Sequence, residues 1–140
     1  MPAPASAQPP SAIERLQRAW NTHDLDALAA CFRPGYASTH PLHPDWGLAG
    51  VKQMQRSWAA LFDAIPDFQA DLLRWAANGD TVWTEWRWSG ASLDGAAVMG
   101  GGVMIFGLAG DQIAWMRGYT EMQSIAGPDW DAVLAEVLSR

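Results

Sequence analysis

A chain of 140 residues and 15.2 kDa, 49% hydrophobic and 17% charged, holds enough apolar material for one core and is not a disordered protein. Its single cysteine, Cys31, excludes disulfide frameworks and cysteine-rich zinc motifs. A net charge of -6, with Lys52 the only lysine and no basic run, argues against a nucleic-acid partner, and no apolar run nears the roughly 20 residues that span a bilayer.

Residues 1–10 are rich in Pro and Ala and read as a disordered tail, and residues 11–140 as one domain. The start has neither a positive region nor an apolar stretch of a secretory signal, so the expected location is the cytoplasm. Ser11-Ala-Ile-Glu14 has the form of a capping box that opens a first helix with Ile13, Leu16 and Trp20 inward. Asp24 is the expected N-cap of a second helix, with Leu25, Leu28 and Phe32 on its apolar side, ended by Arg33-Pro34-Gly35. A short strand is predicted over 36–40, a loop over 41–47 and a long helix over 48–64 with Val51, Met54, Trp58, Leu61 and Ile65 on one stripe.

Strands follow. They are predicted over 68–75, 81–89, 97–108 and 113–122, joined by tight turns, with Gly100-Gly101-Gly102 marking a bulge or bend. In the clearest of them Val82, Thr84, Trp86 and Trp88 share one face, and Trp83, Glu85 and Arg87 the other. A closing helix over 129–138 should turn Trp130, Val133, Leu134 and Val137 inward. Helices first and an antiparallel meander after make an α+β domain, a curved sheet wrapped on a long helix as a cone with an open mouth.

Several segments in this order resemble a known family. They are Trp20-Asn-Thr-His23-Asp24, Phe32-Arg-Pro34, a strand ending in a His-Pro pair, Ile65-Pro66-Asp67 closing the long helix, Asn78-Gly79-Asp80 before Trp86-Arg-Trp88-Ser-Gly90, and Arg117-Gly-Tyr119-Thr-Glu121. Over roughly residues 11–126 the chain resembles the SnoaL-like branch of the nuclear transport factor 2-like superfamily. That resemblance implies a cystatin-like cone and a pocket without cofactor or metal. The fold hosts polyketide cyclases, isomerases, epoxide hydrolases and non-catalytic binders alike.

The resemblance directs attention to three places. Relatives often read His-Asp-Pro or His-Asn-Pro after the first strand; here Thr39 holds the histidine's place and His40 that of its neighbour. His40 is the leading proton carrier, and Tyr36, two steps away on the same face, its expected helper. His43, in the proline-rich loop, is the weaker candidate, and His23 reads as a spacer between helices. Relatives also read Arg-Asp-Tyr-aromatic-Asp on the last strand, where the first aspartate acts as acid or base; here Gly118 stands in its place. Glu121, the nearest carboxylate, falls on the opposite face by period two. Epoxide-hydrolase members pair an arginine with a carboxylate two positions apart. Here the order is reversed, Glu85 then Arg87, and both fall on the outer face with Trp83 and Trp115, the surface the family uses for dimers.

The residues so predicted to line the pocket are Trp20, Met54, Trp58, Trp86, Trp88, Met104, Phe106, Met116, Gly118 and Thr120, with Trp46 a lid at the mouth. Two functions follow as expectations. One is a cofactor-independent acid–base enzyme of isomerase, cyclase or hydrolase type acting on a small apolar substrate. The other is a non-catalytic pocket domain that binds such a ligand. Both are expected as homodimers joined through the sheets.

Overall fold

A computed structural model of the chain describes residues 8–124 and 130–140. Most of the tail expected over 1–10 lies outside them. Helix α1 spans Ser11–Thr22, α2 Leu25–Ala30, α3 Val51–Ala64 and α4 Trp130–Leu138. The strands are β1 Phe32–Thr39, β2 Leu48–Ala49, β3 Gln69–Asn78, β4 Thr81–Ala91, β5 Ala97–Ala109 and β6 Gln112–Ser124. They form one curved, unclosed sheet in the order β2-β1-β6-β5-β4-β3. All neighbours are antiparallel except β1 and β6, which run parallel. The meander β3 to β6 is made by tight turns, whereas β1 joins it only through the C-terminal strand.

The helix starts follow local chemistry. The expected capping box at Ser11 does not form: Ser11 is already helical, Pro10 is the N-cap, and the Pro10 carbonyl accepts from Ile13 at 2.9 Å. Pro10 has no side-chain acceptor, so its carbonyl alone meets the first turn, accepting from Glu14 N as well at 3.2 Å. Asp24 does cap α2, accepting from Ala27 N at 3.0 Å. Between the two, His23 ends α1 in the left-handed region (φ 55). Its ring stacks on Phe62 at 4.3 Å, and its Nε2 lies 2.9 Å from the Phe68 carbonyl. Asn21 meets β3 as a strand would: Nδ2 donates to the Ala70 carbonyl at 3.0 Å, and Oδ1 accepts from Ala70 N at 2.7 Å. Together these contacts seat α1 on the start of β3.

Several boundaries differ from expectation. Pro34 and Gly35 do not end a helix; they lie inside β1, in the stretch where its register against β6 is interrupted between Phe32 and Ala37. No ladder bond is needed there, so proline is tolerated. Phe32, expected on the apolar side of α2, opens that strand. The loop 41–47 contains one turn of 3₁₀ helix, Pro44–Trp46, and α3 begins at Val51, after the two-residue β2. The triple glycine carries no bulge; the irregularity of β5 lies between Gly107 and Leu108. Gly101 and Gly102 instead adopt φ +141 and +136, and a Cβ on them would stand 2.1 Å from the Trp86 carbonyl oxygen and 2.2 Å from that of Tyr119. Backbone approach where the sheet curves is what excludes side chains there.

The core lies between the sheet and α1–α3. Trp20, Phe68, Val82, Trp86, Phe106 and Ile113 are among its fully buried members. On β4 the alternation holds, with Val82, Thr84, Trp86 and Trp88 buried and Trp83 and Arg87 exposed. The closing helix is the exception. Trp130 is 69% exposed, Val137 is also exposed, and Val133 and Leu134 are only half-buried, so its expected inward face is not covered. The inner sheet face is already occupied by α1–α3. No helix among the described residues is long and apolar enough to cross a membrane.

Candidate functional site

The inner faces of the elements leave a cavity of about 160 Å³. Trp20 of α1 and Trp58 and Leu61 of α3 wall it on one side. Trp88 of β4, Met104 and Phe106 of β5, and Met116 and Thr120 of β6 wall it on the other. The third wall comes from β1, where Phe32, Tyr36, Ser38 and then His40 follow the two-residue period into the same space. Trp46, Leu48, Glu121 and Met122 complete the lining; Trp46, Glu121 and Met122 are exposed and so mark its mouth.

Three predicted lining residues lie elsewhere. Met54 and Trp86 are packed solidly into the core rather than against the void. The Trp86 indole is committed: its Nε1 donates to Thr84 Oγ1 at 2.6 Å, and that hydroxyl donates to the Met104 carbonyl at 2.7 Å. Gly118 faces inward but is covered, because the His40 ring rests on it. A Cβ on Gly118 would lie 2.9 Å from both Nδ1 and Cε1 of that ring. The glycine thus makes the room that the imidazole fills.

His40 Nδ1 is shut off from solvent and has no hydrogen-bond partner among the described residues. Burial, and second the neighbouring His43, hold the His40 pKa below the usual histidine value. The ring is therefore neutral at pH 7. Tyr36 shares the cavity with it, and no hydrogen bond joins the two. Burial pushes the Tyr36 phenol up to about 12, against a smaller opposing effect of the Ser38 hydroxyl. Tyr36 is accordingly a donor at any ordinary pH. Among the described residues, the second buried side-chain polar atom without a partner is Nε1 of Trp20.

Glu121 and His43 are the residues that sequence reasoning undervalued. Glu121 was expected on the outer face, yet its carboxylate reaches the rim and Oε1 meets His43 Nε2 at 2.5 Å. The His43 ring stacks on Trp46 at 3.7 Å, and Trp46 stands edge-on to His40 at 5.8 Å. One chain of contacts thus runs from the carboxylate on β6 to the loop histidine, across the tryptophan at the mouth, to the inner imidazole.

The outer sheet face differs in kind. Glu85 and Arg87 do not pair with each other along β4. Each crosses to β3, Glu85 to Arg74 at 2.8 Å and Arg87 to Asp71 at 3.6 Å, as the strand register dictates. Beside them Trp83 is 51% and Trp115 42% exposed, with Tyr119 near. Trp115 lies flat over Gly107, where any side chain would collide with its indole. Among the described residues, no group of three or more His, Cys, Asp or Glu could hold a metal ion.

The model of the SnoaL-like domain matches residues 13–116. The chain belongs to the SnoaL-like family. No curated protein matches it significantly. Solved structures agree in fold. AclR, a candidate hydroxylase from Streptomyces galilaeus, superposes with a TM-score of 0.71 at 15% identity, covering 91% of each chain. A ketosteroid isomerase-like protein from Catenulispora acidiphila, in complex with trimethylamine, gives 0.69 at 19% identity over 85% of this chain and 89% of that one. A candidate polyketide cyclase from Sinorhizobium meliloti gives 0.64 at 23% over 82% and 95%. Likeness at these identities is a likeness of fold.

Proposed function

We propose that this SnoaL-like chain is a small-molecule pocket protein that carries out cofactor-independent acid–base chemistry on a small apolar substrate, with His40 as proton acceptor. The observation that carries the reading is His40, whose imidazole lines an apolar cavity while its Nδ1 is covered and without a partner among the described residues. A buried polar atom without a partner costs free energy in the empty protein, and a functional site is where such a cost is retained. A neutral imidazole resting there is a base ready to take a proton. Tyr36, held protonated, is the group that hydrogen-bonds and orients the substrate. The names of two fold neighbours, a candidate hydroxylase and a candidate polyketide cyclase, support a reaction on a small molecule.

The test is exchange. A ligand found by thermal shift should stabilise the fold by about 2.7 kcal/mol at 100 times its Kd. Its acidic C–H should then take up deuterium from D2O in the presence of the protein. His40→Gln should keep the binding and lose the exchange; equal exchange by both proteins refutes the assignment.

The second reading is a non-catalytic ligand-binding or accessory domain. Gly118 favours it, since the place of the relatives' strand acid is empty of a carboxylate and Glu121 reaches only the mouth. On this reading ligand binds and no exchange occurs. For either, we infer a homodimer through the outer sheet face, supported by exposed Trp83 and Trp115 between ion pairs. Sedimentation of a species of 15.2 kDa alone in dilute solution would remove that inference.

A further inference from the structure

The loop over 41–47 is fastened at both ends and tethered once in the middle. At its start the His40 carbonyl accepts from His43 N at 2.9 Å, and a second turn follows at once, the His43 carbonyl accepting from Trp46 N at 2.9 Å. At its end Leu48 and Ala49 pair with Ser38 and Ala37 of β1, and Leu48 N donates to Ser38 Oγ at 3.1 Å. A Cβ on Gly47 would stand 3.3 Å from the Ser38 carbonyl oxygen, so the chain already runs close to β1 there. Between these anchors Pro41, Leu42, Pro44, Asp45 and Trp46 are exposed. Among the described residues, the side chains of 41–46 make one polar contact with another element, that of His43 with Glu121 of β6.

Trp46 depends on that tether. Its ring is stacked on His43 at 3.7 Å, and the second turn bonds the two residues through the backbone as well. When the imidazole leaves β6, the indole goes with it. Trp46, Glu121 and Met122 are the exposed members of the cavity lining, and so form the rim that a ligand has to cross. A carboxylate gives an apolar ligand nothing to bind. Holding His43, and through it Trp46, is what the turn of Glu121 from the outer sheet face to the rim achieves.

The geometry points to a gate at the mouth of the cavity, with Trp46 as its moving part and the contact between Glu121 and His43 as its latch: a ligand passes when that contact opens. The inference rests on the cavity being the ligand site proposed above, and names what controls passage into it. A gate sets how fast a ligand enters and leaves. It leaves affinity to the inner walls, because opening helps entry and exit alike. The latch is a partly exposed pair, which holds weakly, so the gate opens on its own and its removal speeds passage severalfold rather than by orders of magnitude.

Fluorobenzene tests this. It is close in size to the benzene that engineered cavities of about 150 Å³ take up, and the cavity here is about 160 Å³. Fluorine NMR line shapes over a titration give both rate constants. In Glu121→Ala and in His43→Ala the two constants should rise together, by about threefold or more. His43 does not line the cavity, so in His43→Ala Kd should stay within about twofold of the native value. Trp46→Ala should also speed passage, and adding Glu121→Ala to it should change nothing further, since a latch without its gate has no effect. Native rates in Glu121→Ala and His43→Ala overturn the gate and leave the cavity as a binding site. A faster off-rate with an unchanged on-rate also overturns it, and makes the rim part of the binding surface. Equal gains from Glu121→Ala with and without Trp46 overturn it as well. Failure of the native chain and every variant to bind the probe removes the cavity reading, and the gate with it.

Discussion

The His40 imidazole occupies the volume that a side chain at Gly118 would need, with Nδ1 and Cε1 each 2.9 Å from the position of the missing Cβ. An inward-facing glycine on β6 and a half-buried histidine just after β1 are one feature seen from two strands. Gly118→Ala should push the ring out of its seat. The expected results are a His40 titration midpoint shifted back toward 6.5, read from ring nitrogen resonances, and a stability loss of about 1–3 kcal/mol from overpacking.

His40 also predicts a pH dependence. Its folded pKa is lowered by burial and by His43, so the unfolded chain takes up this proton first as pH falls. Its contribution to stability is complete above the unfolded value near 6.5 and is lost as pH falls from there through the folded value. Around it stand the rings of Trp46 and His43 and the backbone of Gly118, with Glu121 reached through His43. Urea midpoints should rise with pH across that window, and His40→Gln should flatten the part of the slope that belongs to this residue.

The contact between Glu121 and His43 holds the loop at the mouth rather than the fold. Both side chains are partly exposed, at 49% and 35%, so Glu121→Ala should cost less than about 1 kcal/mol globally. It should instead release the loop: amide exchange over residues 43–47 should speed up, and Trp46 fluorescence should become more accessible to a soluble quencher.

A different result is expected deep in the sheet. Thr84 Oγ1 joins the Trp86 indole to the Met104 carbonyl in a dry environment. Thr84→Val has nearly the same shape but leaves the indole N–H without its acceptor. A loss of about 1–3 kcal/mol in denaturant unfolding is expected. A loss near zero would mean that water reaches this part of the core.

Much of this architecture was legible because period two and period 3.6 are strong signals where one face is buried. The β4 alternation and the stripe of α3 both show it, and with the resemblance they place the fold. The capping box at Ser11 misled because the helix starts one residue earlier, from Pro10, which leaves Ser11 inside it. Pro34-Gly35 misled because a strand tolerates proline where its ladder is broken, and where a ladder breaks is decided by a strand some eighty residues away. At the site, periodicity finds which side chains turn inward but not which of them meet a void. Met54 and Trp86 turn inward and pack solidly, whereas Phe32, Ser38 and Leu48 reach the cavity. Glu121 obeyed its period in the backbone, and its long side chain then curled to the rim to meet His43. No local pattern encodes that contact, because its two halves are distant in sequence.

The parallel pairing of β1 with β6 sets an order of assembly. Phe32 aligns with Ile113 and Thr39 with Arg117, so the early strand must wait for almost the last one before its edge is paired. A chain leaving the ribosome makes α1, α2 and α3 first, and then the β3 to β5 hairpins, while Phe32 and Tyr36 still lack the neighbour that buries them. Such long-range closure is slow compared with local pairing. When β6 does arrive it brings Met116, Gly118 and Glu121 together, and with them the seat of His40 and the anchor of His43. The site is thus complete only once β6 is in place, and a nascent chain stalled before residue 112 would carry its histidine with nothing to hold it.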